Sequence, residues 1–232
     1  MRARQFSDSE PELMDRPDAS SAELEAALKS LRGLNRYFGS YRIVSHFLKR
    51  WIQRDDRLRV LDLATGSADI PRLVADHARA VGATVEIVAI DFQPATIQAA
   101  RRLSAGYPEI LCECADVLTF RAAEPFDIVI CSLALHHFSD SDAVRLLQRC
   151  HELSRRFILV SDLRRGVFLK FGVDLLTTLI FRDRMTFADG RASAQRAFSF
   201  IEMRNLAARA GWEKFGAAKF HFARQAIWLE RG

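Results

Sequence analysis

Three observations predict an α/β fold built on a mostly parallel sheet. First, a short apolar run from Leu58 to Leu63 ends in small residues and Gly66, and the chain then has a helical pattern from Ser67 or Ala68 to about Ala80. Strand, tight turn and helix form the unit that open α/β sheets repeat. Second, the alternation continues, with strand 84–90, helix 94–104, strand 110–115, strand 127–132, helix 140–153 and strand 156–161. Strands separated by helices of this length imply crossover units and hence parallel neighbours. Third, Trp212 to Phe222 and Gln225 to Glu230 read as a closing strand pair.

Bulk properties narrow the class. The 232 residues allow one large domain with a real core. A hydrophobic content of 49% and a charged content of 27% are those of a globular protein in water. The N-terminus is polar, and acidic after Arg4, so no signal peptide is expected. No run of 18 uncharged apolar residues is present, which argues against a spanning helix. Cys112, Cys114, Cys131 and Cys150 have no zinc-type spacing with other ligands. Free thiols in a cytoplasmic protein follow, with no metal site. The net charge is +5, but the basic residues are scattered and do not alternate with aromatics. No nucleic-acid partner is expected.

In chain order, residues 1–20 mix charge, serine and proline and read as a flexible N-terminus. Residues 21–232 form a single domain. Its first part, 21–55, is a helical cap. Ser20 or Ser21 caps a helix whose Leu24, Leu28 and Leu31 repeat at i, i+4 and i+7. Gly33 is expected to interrupt it, and a second helix runs from about Leu34 to Trp51. Pro94 suits a first helical turn, and Asp140 and Asp142 open their helix well. Residues 164–200 exceed what a bare sheet needs and read as an insertion. Val167 to Phe181 is helical in pattern, with Phe168, Phe171, Leu175, Leu176 and Leu179 on one apolar face. A substrate lid is the leading reading. A homodimer interface and peripheral membrane contact are the other two. A polar loop around Asp189-Gly190 and a helix from Ser199 or Phe200 to Ala210 follow, with Gly211 as the stop.

The turn after the first strand bears on ligand chemistry. A dinucleotide site wants several glycines, so that backbone can approach a pyrophosphate. Here only Gly66 is present, with Ala64 and Ala68 where further glycines would help. Asp62 at the strand end suits a cation better than an anion. S-adenosylmethionine carries an ammonium and a sulfonium and no phosphate, so the turn fits it better than a nicotinamide dinucleotide. Asp91 ends the second strand 25 positions after Gly66, near the offset of a ribose-binding carboxylate.

These points, together with Asp116-Val117 after the third strand and Phe126 to Phe138 around the fourth, resemble the class I S-adenosylmethionine-dependent methyltransferases. The likeness extends to small-molecule and quinone-biosynthesis members, some of which carry an Ala-Thr-Gly turn. It covers roughly residues 58–163. It implies a Rossmann-like seven-stranded sheet with an antiparallel last strand, a helical N-terminal cap and an inserted helical lid. The cofactor-binding set it implies is Asp62, Ala64, Gly66, Asp91, Phe92, Asp116, Val117 and Ser132. Helices before the first strand often close over the cofactor in this family, which makes Tyr37, Tyr41 and Arg42 candidates against a plain core or solvated role.

Methyl transfer is an in-line displacement at an activated carbon, so the protein mainly aligns the nucleophile and excludes water. A phenolic nucleophile, with a pKa of about 10, gains from a base. His136 and His137 follow the fourth strand at the ligand-binding edge, and an ordinary histidine pKa of about 6.5 suits proton removal. Adjacent residues diverge, so one of the two is expected to act. Asp162 and Arg164 follow the fifth strand on the same edge, the first to polarise the nucleophile and the second to hold a substrate acid. Phe168 and Phe171, with Arg164 and Tyr37, complete the candidate substrate set. Cys131-Ser132-Leu133-Ala134 lacks the Asn/Asp-Pro-Pro-aromatic run of nucleobase amino-methylating enzymes. The acceptor expected is a hydrophobic small molecule, O-methylated on a phenolic or polyketide-like hydroxyl. C-methylation of a quinone-type ring and a non-catalytic cofactor-binding partner subunit are the alternatives.

Overall fold

The computed structural model describes residues 4–7, 13, 21–166 and 184–231. Its centre is a seven-stranded sheet in the order β3-β2-β1-β4-β5-β7-β6. The strands are β1 (Arg57–Leu63), β2 (Thr84–Asp91), β3 (Ile110–Cys114), β4 (Phe126–Ser132), β5 (Ser154–Leu163), β6 (Gly216–Phe220) and β7 (Arg224–Glu230). The first five pair in parallel. β7 enters antiparallel to β5, and β6 pairs antiparallel to β7. The chain reverses its direction of travel across the sheet between β1 and β4. That switch point opens a crevice at the carboxyl ends of the strands.

β1 and β4 lie mid-sheet, so both their faces are covered. This explains why most of β1 and all of β4 but Ser132 are buried. One face packs Val60, Ile128, Ile130 and Leu159 under α2 (Ser40–Trp51) and α3 (Asp69–Val81). The other packs Leu61, Leu63, Val129, Cys131, Ile158 and Val160 under α5 (Asp140–Leu153) and a later helix carrying Met203 and Leu206. α4 (Pro94–Leu103) lies over β2 and β3 through Ile97, Ala100, Ala89 and Cys112.

Two helical boundaries differ from the sequence reading. α1 (Ser21–Tyr37) runs straight through Gly33, and the break falls at Gly39, with φ 96°. A mid-helix glycine costs about 1 kcal/mol against alanine. Here Leu24 and Leu28, buried against Ala99, hold the helix together. The expected loop around Asp189-Gly190 is instead helix α6 (Arg184–Arg196). Tertiary anchoring outweighs the weak helix formers. Leu13 N donates to the buried Asp189 Oδ1 at 2.6 Å, and Ala194 and Ala197 pack on Leu163 and Ala223.

α7 (Phe200–Arg209) opens with a reciprocal cap in which the Ser199 hydroxyl accepts from Glu202 N, and the Glu202 carboxylate accepts from Ser199 N. The predicted helix Val167 to Phe181, with Phe168 and Phe171, lies outside the described residues. No helix among the described residues is long and apolar enough to cross a membrane. All four cysteines are free.

Candidate active site

A cavity of about 1140 Å³ occupies the switch point. The ends of β1, β2, β4 and β5 supply its floor, α1 and the β6–β7 turn part of its walls. Sheet and turn geometry explain why each side chain is there. After β1 the backbone takes left-handed conformations at Ala64, Gly66 and Ala68, with φ of 54°, 55° and 55°. The two alanines thus adopt the backbone that glycine would adopt more cheaply, at about 1–2 kcal/mol each. A Cβ added to Gly66 would meet nothing within 4 Å, so this part of the turn faces open space.

Three buried acids line this end. Asp62 Oδ2 accepts from Thr65 Oγ1 at 2.6 Å. Burial, with Asp69 and Asp91 adding like charge, pushes its carboxyl up to about 8. Asp91 Oδ2 accepts from Gly66 N at 3.0 Å and its Oδ1 from Gln93 N at 3.1 Å. The carboxylate of the second strand therefore ties the glycine turn to its own. Asp69, at the start of α3, accepts from Asn35 Nδ2 of α1 at 3.0 Å. Burial first, and Asp69 second, raise the Tyr41 phenol above its ordinary range.

The opposite side of β4 holds a second constellation. Asp162, 1% exposed, accepts from His136 N at 2.8 Å, from Leu163 N at 2.7 Å and from the His136 ring at Nδ1, 2.7 Å. Against a carboxylate, Nδ1 carries the proton and Nε2 becomes an acceptor. His136 sits on a 3₁₀ turn, Leu135–His137, and lines the cavity. The His137 ring packs on it with centroids 4.4 Å apart. Ser132 Oγ and Ser161 Oγ lie 3.0 Å apart where β4 and β5 end.

The cavity wall contains Asp62, Ala64, Gly66, Asp91, Phe92, Asp116, Val117, Ser132, His136, His137 and Arg164 of the sequence-predicted set. Asp162 lies behind the wall and reaches it through His136. Tyr37 is 68% exposed and is not among the lining residues. Asp116 caps its own turn, accepting from Leu118 N at 2.8 Å. Phe168 and Phe171 are outside the described residues.

Several lining residues were not singled out from sequence: Asn35, Phe38, Asp69, Arg196 and Arg224. Asp69 carried a signal, an acid at the first turn of a helix that follows a ligand-type turn. Phe6 also lines the cavity. It is held there by Arg4, which donates to the carbonyls of Arg196, His136 and Phe138 and pairs with Asp140 at 2.9 Å. Nothing in the composition of residues 1–20 announced that contact.

The residues fit S-adenosylmethionine. An open glycine turn, a strand-end acid at the ribose offset and a second buried carboxyl all lie in one cavity. Residues 60–156 match the family model of a methyltransferase domain. No curated protein matches the chain. Among solved structures, the plantazolicin methyltransferase BpumL with S-adenosylhomocysteine aligns with TM-score 0.70 at 11% identity, over 95% of this chain and 93% of that one. A methyltransferase from Aquifex aeolicus gives 0.63 at 14%, over 90% and 97%. Human N-acetylserotonin methyltransferase with S-adenosylmethionine gives 0.63 at 19%, over 92% of this chain and 57% of that one. At these identities the likeness is one of fold. Sheet order and cavity agree with that fold, and the segment from 60 to 156 is similar to a methyltransferase domain.

Proposed function

We propose that this protein O-methylates an apolar small molecule at a phenolic or polyketide-like hydroxyl. The observation that carries this reading is the His136–Asp162 pair. A buried carboxylate fixing Nδ1–H, with the ring in the cavity wall, is the arrangement of an oriented general base. A hydroxyl needs that help, whereas a neutral amine, with its own lone pair, does not.

S-adenosylmethionine supplies an electrophilic methyl carbon and leaves as S-adenosylhomocysteine. Asp62, Asp91 and the Ala64–Ala68 turn hold it. Phe92, Asp116, Val117 and Ser132 complete that end of the cavity. His136 Nε2 takes the acceptor's hydroxyl proton as the oxygen attacks, and Asp162 stabilises the imidazolium that results. Leu133, Ala134 and Phe138 keep water from that point. His137 packs on the His136 ring and restrains it.

The test is a panel of hydroxylated aromatic compounds with [methyl-¹³C]S-adenosylmethionine, read by the chemical shift of the transferred methyl. A methoxy signal that disappears in His136→Gln, with affinity for S-adenosylhomocysteine unchanged, supports the reading. A methyl on carbon or nitrogen, or full turnover in His136→Gln, rejects it.

A further inference from the structure

The charges in the cavity are sorted. Asp62, Asp69 and Asp91 lie at the end under β1 and β2 and Arg164, Arg224 and His221 at the end past β5, with Asp116, Asp142 and Arg196 elsewhere in the lining. Arg224 opens β7 directly opposite Leu163 of β5, and Arg164 N donates to Ala223 O at 2.7 Å. Two guanidinium-bearing residues therefore leave neighbouring strands at the same place in the wall.

Neither is satisfied as buried arginines usually are. Arg224 is 6% exposed, yet its side-chain hydrogen bonds are long: Nε to Ser40 Oγ at 3.4 Å and Nη1 to Phe222 O at 3.5 Å. The Arg164 Nε is buried and has no partner. Neither residue forms an ion pair among the described residues. Arg165, one position on, is by contrast held by Glu202 at 2.6 Å and by Ala197 O at 2.9 Å. Burial lowers the Arg224 guanidinium to about 10, and only Asp162 opposes the shift. It is still cationic at neutral pH. Buried charges are ordinarily paired, so a cavity-facing pair with no carboxylate in salt-bridge contact is a place for an anion.

We propose that Arg164 and Arg224 form an anion subsite for the methyl acceptor, and that the acceptor is a carboxylic acid. The wall around them is otherwise apolar, with Phe38, Leu163, Phe220, Phe222 and Ala223, which suits the hydrocarbon of a hydroxylated aromatic or polyketide-type acid. The charge favours a carboxylate over a phosphate dianion. Asp162 opposes the Arg224 charge in part, so the site carries less than two full positive charges. Position supplies a purpose. Asp162 and Arg164 are two residues apart at the end of β5, so a carboxylate on the arginines anchors the acceptor beside the His136 base and directs its far hydroxyl there. This rests on the proposed function, in which the acceptor's hydroxyl meets His136.

The test uses calorimetric titration of the full chain saturated with S-adenosylhomocysteine, and needs no turnover. The probes are hydroxybenzoic and hydroxynaphthoic acids, their primary amides and phenyl phosphate. At least one acid should bind tenfold or more tighter than its amide. Arg224→Met and Arg164→Met should each shrink that preference to within threefold while leaving affinity for S-adenosylhomocysteine within twofold. Should Arg224→Met fail to fold, Arg164→Met, at a less buried position, decides alone. No acid preferred over its amide, a preference that survives substitution, or tighter binding of phenyl phosphate than of any acid overturns the proposal. So does loss of S-adenosylhomocysteine affinity in a folded variant, which would give the arginines to the cofactor's own carboxylate. His136→Gln should lose turnover and keep acid binding, so failure of the base and failure of the subsite are told apart.

Discussion

Cofactor binding should release a proton, and Asp62 should be its source. With its pKa raised to about 8, this carboxyl is about nine-tenths protonated at pH 7 in the free protein. An ammonium placed beside it favours the ionised form, because an opposite charge lowers a carboxyl pKa while burial raises it. Close to one proton per S-adenosylhomocysteine should therefore leave at pH 7. The observed affinity should climb by up to roughly tenfold per pH unit between 6 and 8 and level off above that. Calorimetry at pH 7 in phosphate and in Tris reads the proton count from the difference in heats. The variant Asp62→Asn stays neutral and nearly isosteric, and its carbonyl still accepts from Thr65 Oγ1. It should show no buffer dependence. A zero proton count in the native protein, or the same count in Asp62→Asn, refutes the reasoning.

Stability carries the opposite sign. The folded-state value of about 8 lies above the ordinary 3.8, so Asp62 favours the fold most below about pH 3.8, and this contribution is lost as pH rises toward 8. Chemical denaturation of the ligand-free protein from pH 5 to 8 should show that decline, and Asp62→Asn should lack its Asp62 component. Asp91→Ala should weaken S-adenosylhomocysteine about ten- to a hundredfold, roughly 1.5–3 kcal/mol for a charge-assisted hydrogen bond, measured by calorimetry. Ala64→Gly should raise the urea midpoint, since it relieves about 1 kcal/mol of left-handed backbone strain at a half-buried site; an unchanged or lower midpoint counts against strain there. Gly216→Ala should cost about 1–3 kcal/mol, because the new methyl would overlap the Trp228 indole across the β6–β7 pair. Denaturation followed by tryptophan fluorescence checks it.

The sheet was legible because its signals are local. β1 and β4 are apolar runs bounded by turn residues, and α5 announces itself with acids in its first turn and Ser139 at its cap. At two places a distant contact overrules a local signal. Gly33 looks like a helix stop, but Leu24 and Leu28 are clamped on Ala99 and the chain stays helical to Tyr37. Asp189-Gly190 looks like a turn, but its buried carboxylate is fixed by a backbone N–H 176 positions away. Propensity differences of about 1 kcal/mol cannot compete with such anchors.

The same distinction divides the cavity. The end proposed for the cofactor is written in short range, because one turn and two strand ends carry Asp62, Gly66 and Asp91, and a parallel sheet places consecutive strand ends side by side. The end proposed for the acceptor is assembled from segments far apart in sequence. His136 needs Asp162, 26 residues on, to set its tautomer. Arg224 comes from the antiparallel strand that alone returns its N-terminal end to the ligand edge. Read in one dimension, that arginine opens an ordinary edge-region strand and nothing marks it. Only the reversal of β7 turns it into a buried cation facing the cavity. A fold with an all-parallel sheet would present strand carboxyl ends alone there. The antiparallel strand thus brings a residue of a different origin to the site, and the charge opposite to the acids of β1 and β2 comes with it.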